Sequence, residues 1–200
     1  MVRLGITGVI GSGKSQVARR LRDLGVPAIE SDDLVHDAYG PGTSANRRVV
    51  DEFGNEVVDS TGSIDRRALA AIVFSDPALR KRLESIVWPE VQKMTADWLR
   101  ERELENAEIV AVVTPLLFEA GRQCDFDHLW LVEAPEETLV ERLEGRGFTP
   151  EQTRARLDAQ WSQPRRLEAA KSSGKPFTRI MNDSDLETLE KRVTAALDRL

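Results

Sequence analysis

Short apolar runs alternate with amphipathic stretches along most of the chain. The segment KSQVARRLRDLG places Val17, Leu21 and Leu24 at helical spacing, directly after the apolar run VRLGIT. A nearly unbroken β-branched run in EIVAVVTPLLFE (108–119) is typical of a strand buried on both faces of a parallel sheet. The predicted strands lie in RLGIT (3–7), VPAIES (26–31), residues 108–119, DHLWLVEA (127–134) and FTRIMN (177–182). Strands that alternate with helices in this way predict an α/β fold with a doubly wound parallel sheet.

The predicted helices are unevenly distributed between these strands. They lie in residues 14–25, 32–39, 45–54, 65–105, 135–147, 149–174 and 184–200, with a loop or small hairpin in NEVVDSTGSI. The long helical stretch is interrupted near SDP (75–77), where Ser75 or Asp76 is positioned to cap the following helix. The region between the second and third strands is therefore predicted to be a mostly helical insertion.

Composition and charge narrow the class of protein. The chain has 200 residues, 40% of them hydrophobic, and a formal net charge of −6, which argues against general nucleic-acid binding. Its single cysteine, Cys124, cannot form an internal disulfide, and its two histidines have no zinc-ligand spacing. No run approaches the ~20 apolar residues of a membrane span, and the N-terminus leads directly into a strand. We therefore expect a cytoplasmic protein without a signal peptide, a membrane partner or a nucleic-acid partner.

One segment carries a specific chemical signal. Residues 8–15, GVIGSGKS, match the G-x-x-x-x-G-K-S/T phosphate loop, with a predicted strand before it and a helix after it. Backbone N–H groups of such a loop surround a phosphate, Lys14 can reach the β- and γ-phosphates of a nucleotide, and Ser15 can hold Mg²⁺. A plain glycine-rich turn would require neither the lysine nor the hydroxyl. NDSD (182–185) lacks the lysine of a guanine-binding motif and no LSGGQ-like segment is present, so a small kinase is the common class that remains.

Candidate residues for phosphoryl transfer lie outside the loop. Asp32 follows the second predicted strand and can accept a proton from an acceptor hydroxyl or cap a helix, with Glu30 and Asp33 as competitors. Strand alternation would place Glu30 and Asp32 on one side. Arg142 and Arg146 are four residues apart, which predicts that both project from one helix face. They can stabilise the charge on a transferring phosphoryl group, or they can be ordinary solvated side chains.

A second basic cluster follows that helix. Its members are Arg154, Arg156, Arg165 and Arg166. This charge is what a lid that closes over ATP would need. The four tryptophans, in contrast, are expected to serve packing, with Trp161 in the most polar surroundings.

Taken in order, these motifs resemble the dephospho-CoA kinase family over nearly the whole chain. The resemblance includes GITGVIGSGKSQVA, LGVPAIESDDLVH, GSIDRRAL, PLLFEAG (115–121), RLEGR (142–146) and RLDAQ (156–160). It implies a five-stranded phosphate-loop kinase core in 1–40, 106–135 and 175–200, a helical acceptor-binding insertion in 41–105 and a helical lid in 136–174. It also implies transfer of the ATP γ-phosphoryl group to the ribose 3′-hydroxyl of dephospho-CoA, with ATP and Mg²⁺ as cofactors.

The resemblance assigns roles to individual positions. Lys14, Asp32 and Arg142 are implied to be catalytic, with Asp32 as the base and Glu30 in place of the family's first aspartate. The implied ATP-binding residues are Gly11, Ser12, Gly13, Lys14, Ser15, Gln16 and Asn182. The implied acceptor-binding residues are Asp32, Pro115, Leu116, Leu117 and Glu119, and Ser15 is the implied Mg²⁺ ligand.

The chain also departs from the family pattern. Val113 stands where an acidic residue is often found, so no strand carboxylate is expected beside the metal, and Trp88 and Leu139 replace the usual histidine and glutamine. Two alternatives therefore stay open. One is another small-acceptor kinase, for a nucleoside monophosphate or a sugar acid, and the other is a nucleotide-binding module without transfer activity.

Overall fold

The computed structural model describes residues 1–73 and 76–200. Five strands form one all-parallel sheet, as the apolar runs predicted: β1 (Val2–Thr7), β2 (Ala28–Glu30), β3 (Ile109–Val113), β4 (His128–Glu133) and β5 (Phe177–Met181). The order across the sheet is β2-β3-β1-β4-β5. Because the chain reverses its direction of winding at β1, the loop after β1 lies at the switch point where α/β proteins bind ligands.

Contacts divide the chain into two compact units. The first comprises residues 1–30 and 102–200, and the second comprises residues 31–101. The sheet belongs to the first unit. Its helices are α1 (Lys14–Asp23), α6 (Glu136–Glu144), α7 (Pro150–Asp158), α8 (Gln163–Ser172) and α9 (Leu186–Leu197).

One apolar core holds the sheet to α1 and α9. Leu4 and Ile6 of β1 and Trp130 of β4 pack against Val17 of α1 and Val193 of α9, and all five side chains are completely buried. On α1 the buried positions recur at helical spacing, which is why this amphipathic segment forms a helix against the sheet. A smaller apolar cluster of Val9, Ala134 and Leu139 lies beside the loop that follows β1. Leu139, one of the family departures, is therefore a packing residue.

The second unit is almost entirely helical. Its helices are α2 (Ser31–Ala38), α3 (Ser44–Phe53), α4 (Arg66–Val73) and most of α5 (Pro77–Leu104). Thr43 caps α3 by accepting a hydrogen bond from Asn46 N, and an antiparallel bridge between Val58 and Ile64 forms the predicted small hairpin. Asp76 Oδ1 accepts from Ala78 N at 2.7 Å and so caps α5, whereas Ser75 lies outside the described residues.

Two details of the sequence prediction are wrong. The strand β2 ends at Glu30 and α2 begins at Ser31, so strand alternation does not relate Glu30 to Asp32. Similarly, α6 ends at Glu144, and Arg146 lies in the turn beyond Gly145 rather than on the same helix face as Arg142. No helix in the described parts of the chain combines the length and apolarity needed to cross a bilayer.

Candidate active site

The loop between β1 and α1 has the backbone form that binds phosphate. Gly11 and Gly13 adopt φ values of 83° and 101°, which side-chain-bearing residues rarely occupy. A Cβ atom on Gly13 would also collide with Asn182 Nδ2. The glycine at this position is therefore required both by the backbone angle and by the close approach of a side chain from beyond β5.

Two side chains brace this loop from outside. Arg142 of α6 donates to Gly11 O at 3.2 Å and to Asn182 Oδ1 at 3.1 Å. Asn182 in turn donates through Nδ2 to Ser12 O at 2.8 Å, and its own backbone N–H bonds Glu133 O at the end of β4. The sheet thus brings together three predicted site segments that are far apart in sequence.

A cleft of about 290 Å³ opens beside this bracing. It is lined by Gly11, Gly13, Gln16, Arg142, Arg146, Asn182, Ser184, Leu186 and Leu189. Leu186, at the start of α9, keeps 52% of its surface exposed. The cleft therefore combines an apolar surface, a planar guanidinium and an amide beside a phosphate-binding loop.

The lysine and serine of the loop occupy different surroundings. Lys14 Nζ donates to Gly8 O and to Val9 O, both at 3.0 Å, so the ammonium group lies over its own loop. Ser15 Oγ donates to Glu30 Oε2 at 2.6 Å, and Arg22 lies 3.4 Å from the other Glu30 oxygen. Glu30 is therefore turned toward the phosphate loop and paired with Ser15 and Arg22.

Asp32 lies in the first turn of α2, two residues beyond the end of β2. It belongs to the helical unit, whereas Lys14, Arg142 and Asn182 belong to the sheet unit. Asp32 and Asp33 both place acidic charge at the N-terminus of α2, where the helix dipole favours it. Capping and catalysis are compatible for this carboxylate.

The segment after β3 follows the carboxyl end of a strand adjacent to β1. Thr7 Oγ1 at the end of β1 donates to Pro115 O at 3.3 Å, and Leu116 is partly exposed. Leu117, in contrast, is completely buried near Gly5, so its side chain serves packing. Glu119 Oε1 accepts from Arg166 Nη2 at 2.6 Å and from Trp161 N at 3.1 Å.

Sequence reasoning missed the roles of Arg166 and Gln160. Arg166 was expected in a basic lid surface, yet its side chain is only 2% exposed and lies among the ends of the strands. Gln160 Oε1 accepts a hydrogen bond from Ile10 N of the phosphate loop at 2.8 Å. Neither contact has a local sequence signal, because Arg166 is 159 positions from Thr7 and Gln160 is 150 positions from Ile10.

The other arginines of the second basic cluster have nearby partners. Arg154 pairs with Glu136 and Asp158, Arg156 lies over the Phe148 ring at 4.3 Å, and Arg165 lies over the Trp161 ring at 3.7 Å. Their positive charge is exposed, in contrast to that of Arg166.

Within the described ranges 1–73 and 76–200, no group of three His, Cys, Asp or Glu side chains is placed to hold a metal ion. Val113 is buried in β3 and pairs with Ile6 and Glu30 across the sheet. Ser15 and Glu30 nevertheless supply hard oxygen atoms at the phosphate loop, which suits a Mg²⁺ ion that also binds nucleotide phosphates.

Known proteins resemble this chain over almost its whole length. The family model described as dephospho-CoA kinase matches residues 2–186. A dephospho-CoA kinase of Frankia casuarinae is 38% identical over 193 residues, which cover 96% of this chain and 81% of the relative.

Solved structures share the fold of this chain. A crystal structure from Thermus thermophilus has a TM-score of 0.81 at 37% identity, covering 100% of this chain and 97% of the other. A dephospho-CoA kinase from Campylobacter jejuni has the same fold, with a TM-score of 0.71 at 23% identity and coverage of 98% and 96%.

Proposed function

Because the chain belongs to the dephospho-CoA kinase family, we propose that it transfers the γ-phosphoryl group of ATP to the ribose 3′-hydroxyl of dephospho-CoA. The products are coenzyme A and ADP, and the reaction is the last step of coenzyme A synthesis. The observation that carries the proposal is the family match over nearly the whole chain, together with a phosphate loop braced by Arg142 and Asn182.

In this proposal ATP binds along the loop and the adjoining cleft. The residues that contact it are Gly11, Ser12, Gly13, Lys14, Ser15, Gln16 and Asn182. The adenine ring lies against the exposed Leu186 side chain, beside Asn182. Ser12 Oγ is buried and has no hydrogen-bond partner among the described residues, which supports a polar ligand at this loop.

The transfer step uses one carboxylate and several cations. The acceptor 3′-oxygen forms a bond to the γ-phosphorus while the bond from that phosphorus to the β,γ-bridging oxygen breaks, and ADP leaves. Asp32 accepts the proton of the attacking hydroxyl. Lys14 and Arg142 stabilise the negative charge that spreads over the transferred group.

Mg²⁺ fits the donor set at Ser15. Its ligands would be the Ser15 hydroxyl, phosphate oxygens of ATP and water, and when bound it neutralises charge on the β- and γ-phosphates. Glu30 accepts a hydrogen bond from the Ser15 hydroxyl and thereby turns the oxygen lone pairs of that hydroxyl away from itself.

The acceptor side and the lid complete the proposal. Asp32 and the segment containing Pro115, Leu116, Leu117 and Glu119 adjoin dephospho-CoA, with Leu117 acting through its backbone. Residues 41–105 bind the bulk of the acceptor, and residues 136–174 contain the lid. A cytoplasmic location follows from this metabolic role and stays a prediction.

The decisive experiment is an ADP-release assay coupled to NADH oxidation, with dephospho-CoA as the acceptor. We expect turnover with dephospho-CoA well above the rate with water alone. A nucleoside monophosphate and a sugar acid serve as the competing acceptors. If either exceeds dephospho-CoA in kcat/KM, the acceptor assignment is wrong. If ATP binds tightly but no acceptor yields ADP, the chain is a binding module.

A further inference from the structure

We propose that Arg166 is a positioning residue that fixes the phosphate-loop side of the site relative to the segment after β3. This inference rests on the proposed phosphoryl transfer, because it assigns a role in that reaction to a residue that touches neither substrate. Its support comes from the partners of one buried guanidinium.

Arg166 reaches from α8 into the region where two strands end. Its Nη1 donates to Thr7 Oγ1 at 3.0 Å and to Pro115 O at 2.7 Å. Thr7 is the last residue of β1, directly before the phosphate loop, and Pro115 lies two residues beyond β3. A single nitrogen atom therefore connects the donor side and the proposed acceptor side.

The other N–H groups of Arg166 bond to the segment after β3 and to the residues just before α8. Nη2 donates to Glu119 Oε1 at 2.6 Å, and Nε donates to Trp161 O at 3.0 Å. Trp161 N donates back to the same Glu119 oxygen, and the preceding residue, Gln160, accepts from Ile10 N. The network thus joins the phosphate loop, the segment after β3 and the start of α8.

The network uses the geometry of the Arg166 guanidinium and not only its charge. Burial lowers the pKa of the Arg166 guanidinium, and the Glu119 carboxylate opposes that shift. Replacing both partners of a buried ion pair with apolar side chains of similar volume is often neutral or stabilising, whereas removing one partner alone is strongly destabilising. A planar group with five fixed N–H donors does what an apolar side chain cannot, because it sets the relative positions of four separate acceptors.

Glu119 also acquires a defined role. Its Oε1 accepts two hydrogen bonds, and its Oε2 is buried without a hydrogen-bond partner among the described residues. Its Oε1 atom is therefore directed into the network. In this inference Glu119 acts through Arg166, which refines the role proposed above.

The test compares Arg166→Met, Arg166→Lys and the control Lys171→Met. Lys171 is a cation of the same helix, but it is exposed and pairs with Glu168. For Arg166→Met we expect kcat to fall about 10²-fold, as a misplacement of about 1 Å can cause, with ATP affinity within about fivefold of the wild type. Lysine keeps the charge but not the fork, so Arg166→Lys should recover less than a tenth of the lost rate. Full recovery with lysine, or unchanged kcat in Arg166→Met, overturns the proposal.

Glu119→Gln and the double variant with Arg166→Met separate the two roles of Glu119. If Glu119 acts through Arg166, the losses in kcat/KM for dephospho-CoA are strongly non-additive. Additive losses, with a higher KM already in Glu119→Gln, would mean that Glu119 contacts the acceptor directly and would contradict the assignment.

Gln160→Met covers the case in which Arg166→Met does not fold, because Gln160 lies at the partly exposed edge of the network. It should lower kcat about tenfold with an unchanged thermal midpoint, and an unchanged kcat contradicts the proposal.

Hydrogen exchange makes the test independent of turnover. In the folded variant Arg166→Met, or in Gln160→Met, peptides that cover residues 8–13 and 115–121 should exchange faster than in the wild type, while Lys171→Met should leave both unchanged. If the wild type does not phosphorylate dephospho-CoA, the proposed function fails while this measurement still tests the coupling. Unaltered exchange in both peptides would overturn the positioning role.

Discussion

Gly13 is the residue at which the phosphate loop depends most directly on distant structure. Its φ of 101° is strained for any other residue, and an added Cβ would collide with Asn182 Nδ2. We expect Gly13→Ala to weaken binding of a non-hydrolysable ATP analogue at least about tenfold, since such strain costs about 1–3 kcal/mol. Titration calorimetry measures this affinity.

Gly25→Ala is the matched control. Gly25 also has a positive φ, of 82°, but a Cβ there would meet no atom within 4 Å. This variant should lower the thermal midpoint and leave ATP affinity within about twofold. Equal losses of affinity in both variants would show that general destabilisation, and not the contact with Asn182, is responsible.

Asp32 is the residue that we expect to act as the base, and its substitution tests that role. Asp32→Asn keeps the size of the side chain but removes its ability to accept a proton, so kcat should fall at least about 10²-fold with unchanged ATP affinity. Steady-state kinetics and nucleotide titration together provide the measurement. Asp33→Asn is the control, since Asp33 shares the same helix turn. A larger loss in Asp33→Asn would transfer the base role to that residue.

At the scale of elements, the contact between strands β4 and β5 includes a titratable side chain, His128. His128 Nε2 lies 2.9 Å from Thr178 Oγ1, and burial lowers the pKa of His128 below its ordinary value. The folded state therefore favours neutral imidazole. Its contribution to stability is complete above the unfolded-state pKa of about 6.5 and is lost as the pH falls below that value.

Thermal unfolding across pH 5 to 7.5 tests this element. The wild-type midpoint should decrease toward pH 5, and His128→Gln should make that decrease smaller, because it removes the titrating imidazole. His36→Gln is the control, because His36 is exposed on α2. If His128→Gln leaves the pH dependence unchanged, other groups govern it.

The helices show where element prediction from sequence works and where it fails. Periodicity identified α1 and α9 correctly because each buries one apolar stripe against the sheet. It failed for the Arg142 and Arg146 pair, because the i, i+4 rule holds only inside a continuous helix and α6 ends at Glu144. Helix ends depend on local turns that a spacing rule does not include.

For the whole molecule, a part of the site could be predicted when its residues are close in sequence, and could not when they are far apart. The phosphate loop was predictable because its glycines, Lys14 and Ser15 lie within eight residues. The contact between Gly13 and Asn182 required the sheet topology, which places β5 beside β4. The burial of Arg166 was not predictable, because an arginine in a polar, basic segment gives no sign that its partners Thr7 and Pro115 lie 159 and 51 positions away.

The central position of β1 has a consequence for synthesis on the ribosome. Both neighbours of β1 come from distant sequence, since Val2 pairs with Ile109 of β3 and Leu4 pairs with His128 of β4. At about 5–20 residues per second, roughly 5–25 s pass between the emergence of β1 and that of its partners. During this interval an apolar strand has neither edge covered, which is the condition that invites misassociation. The nascent N-terminal segment is therefore where this enzyme would most depend on a chaperone.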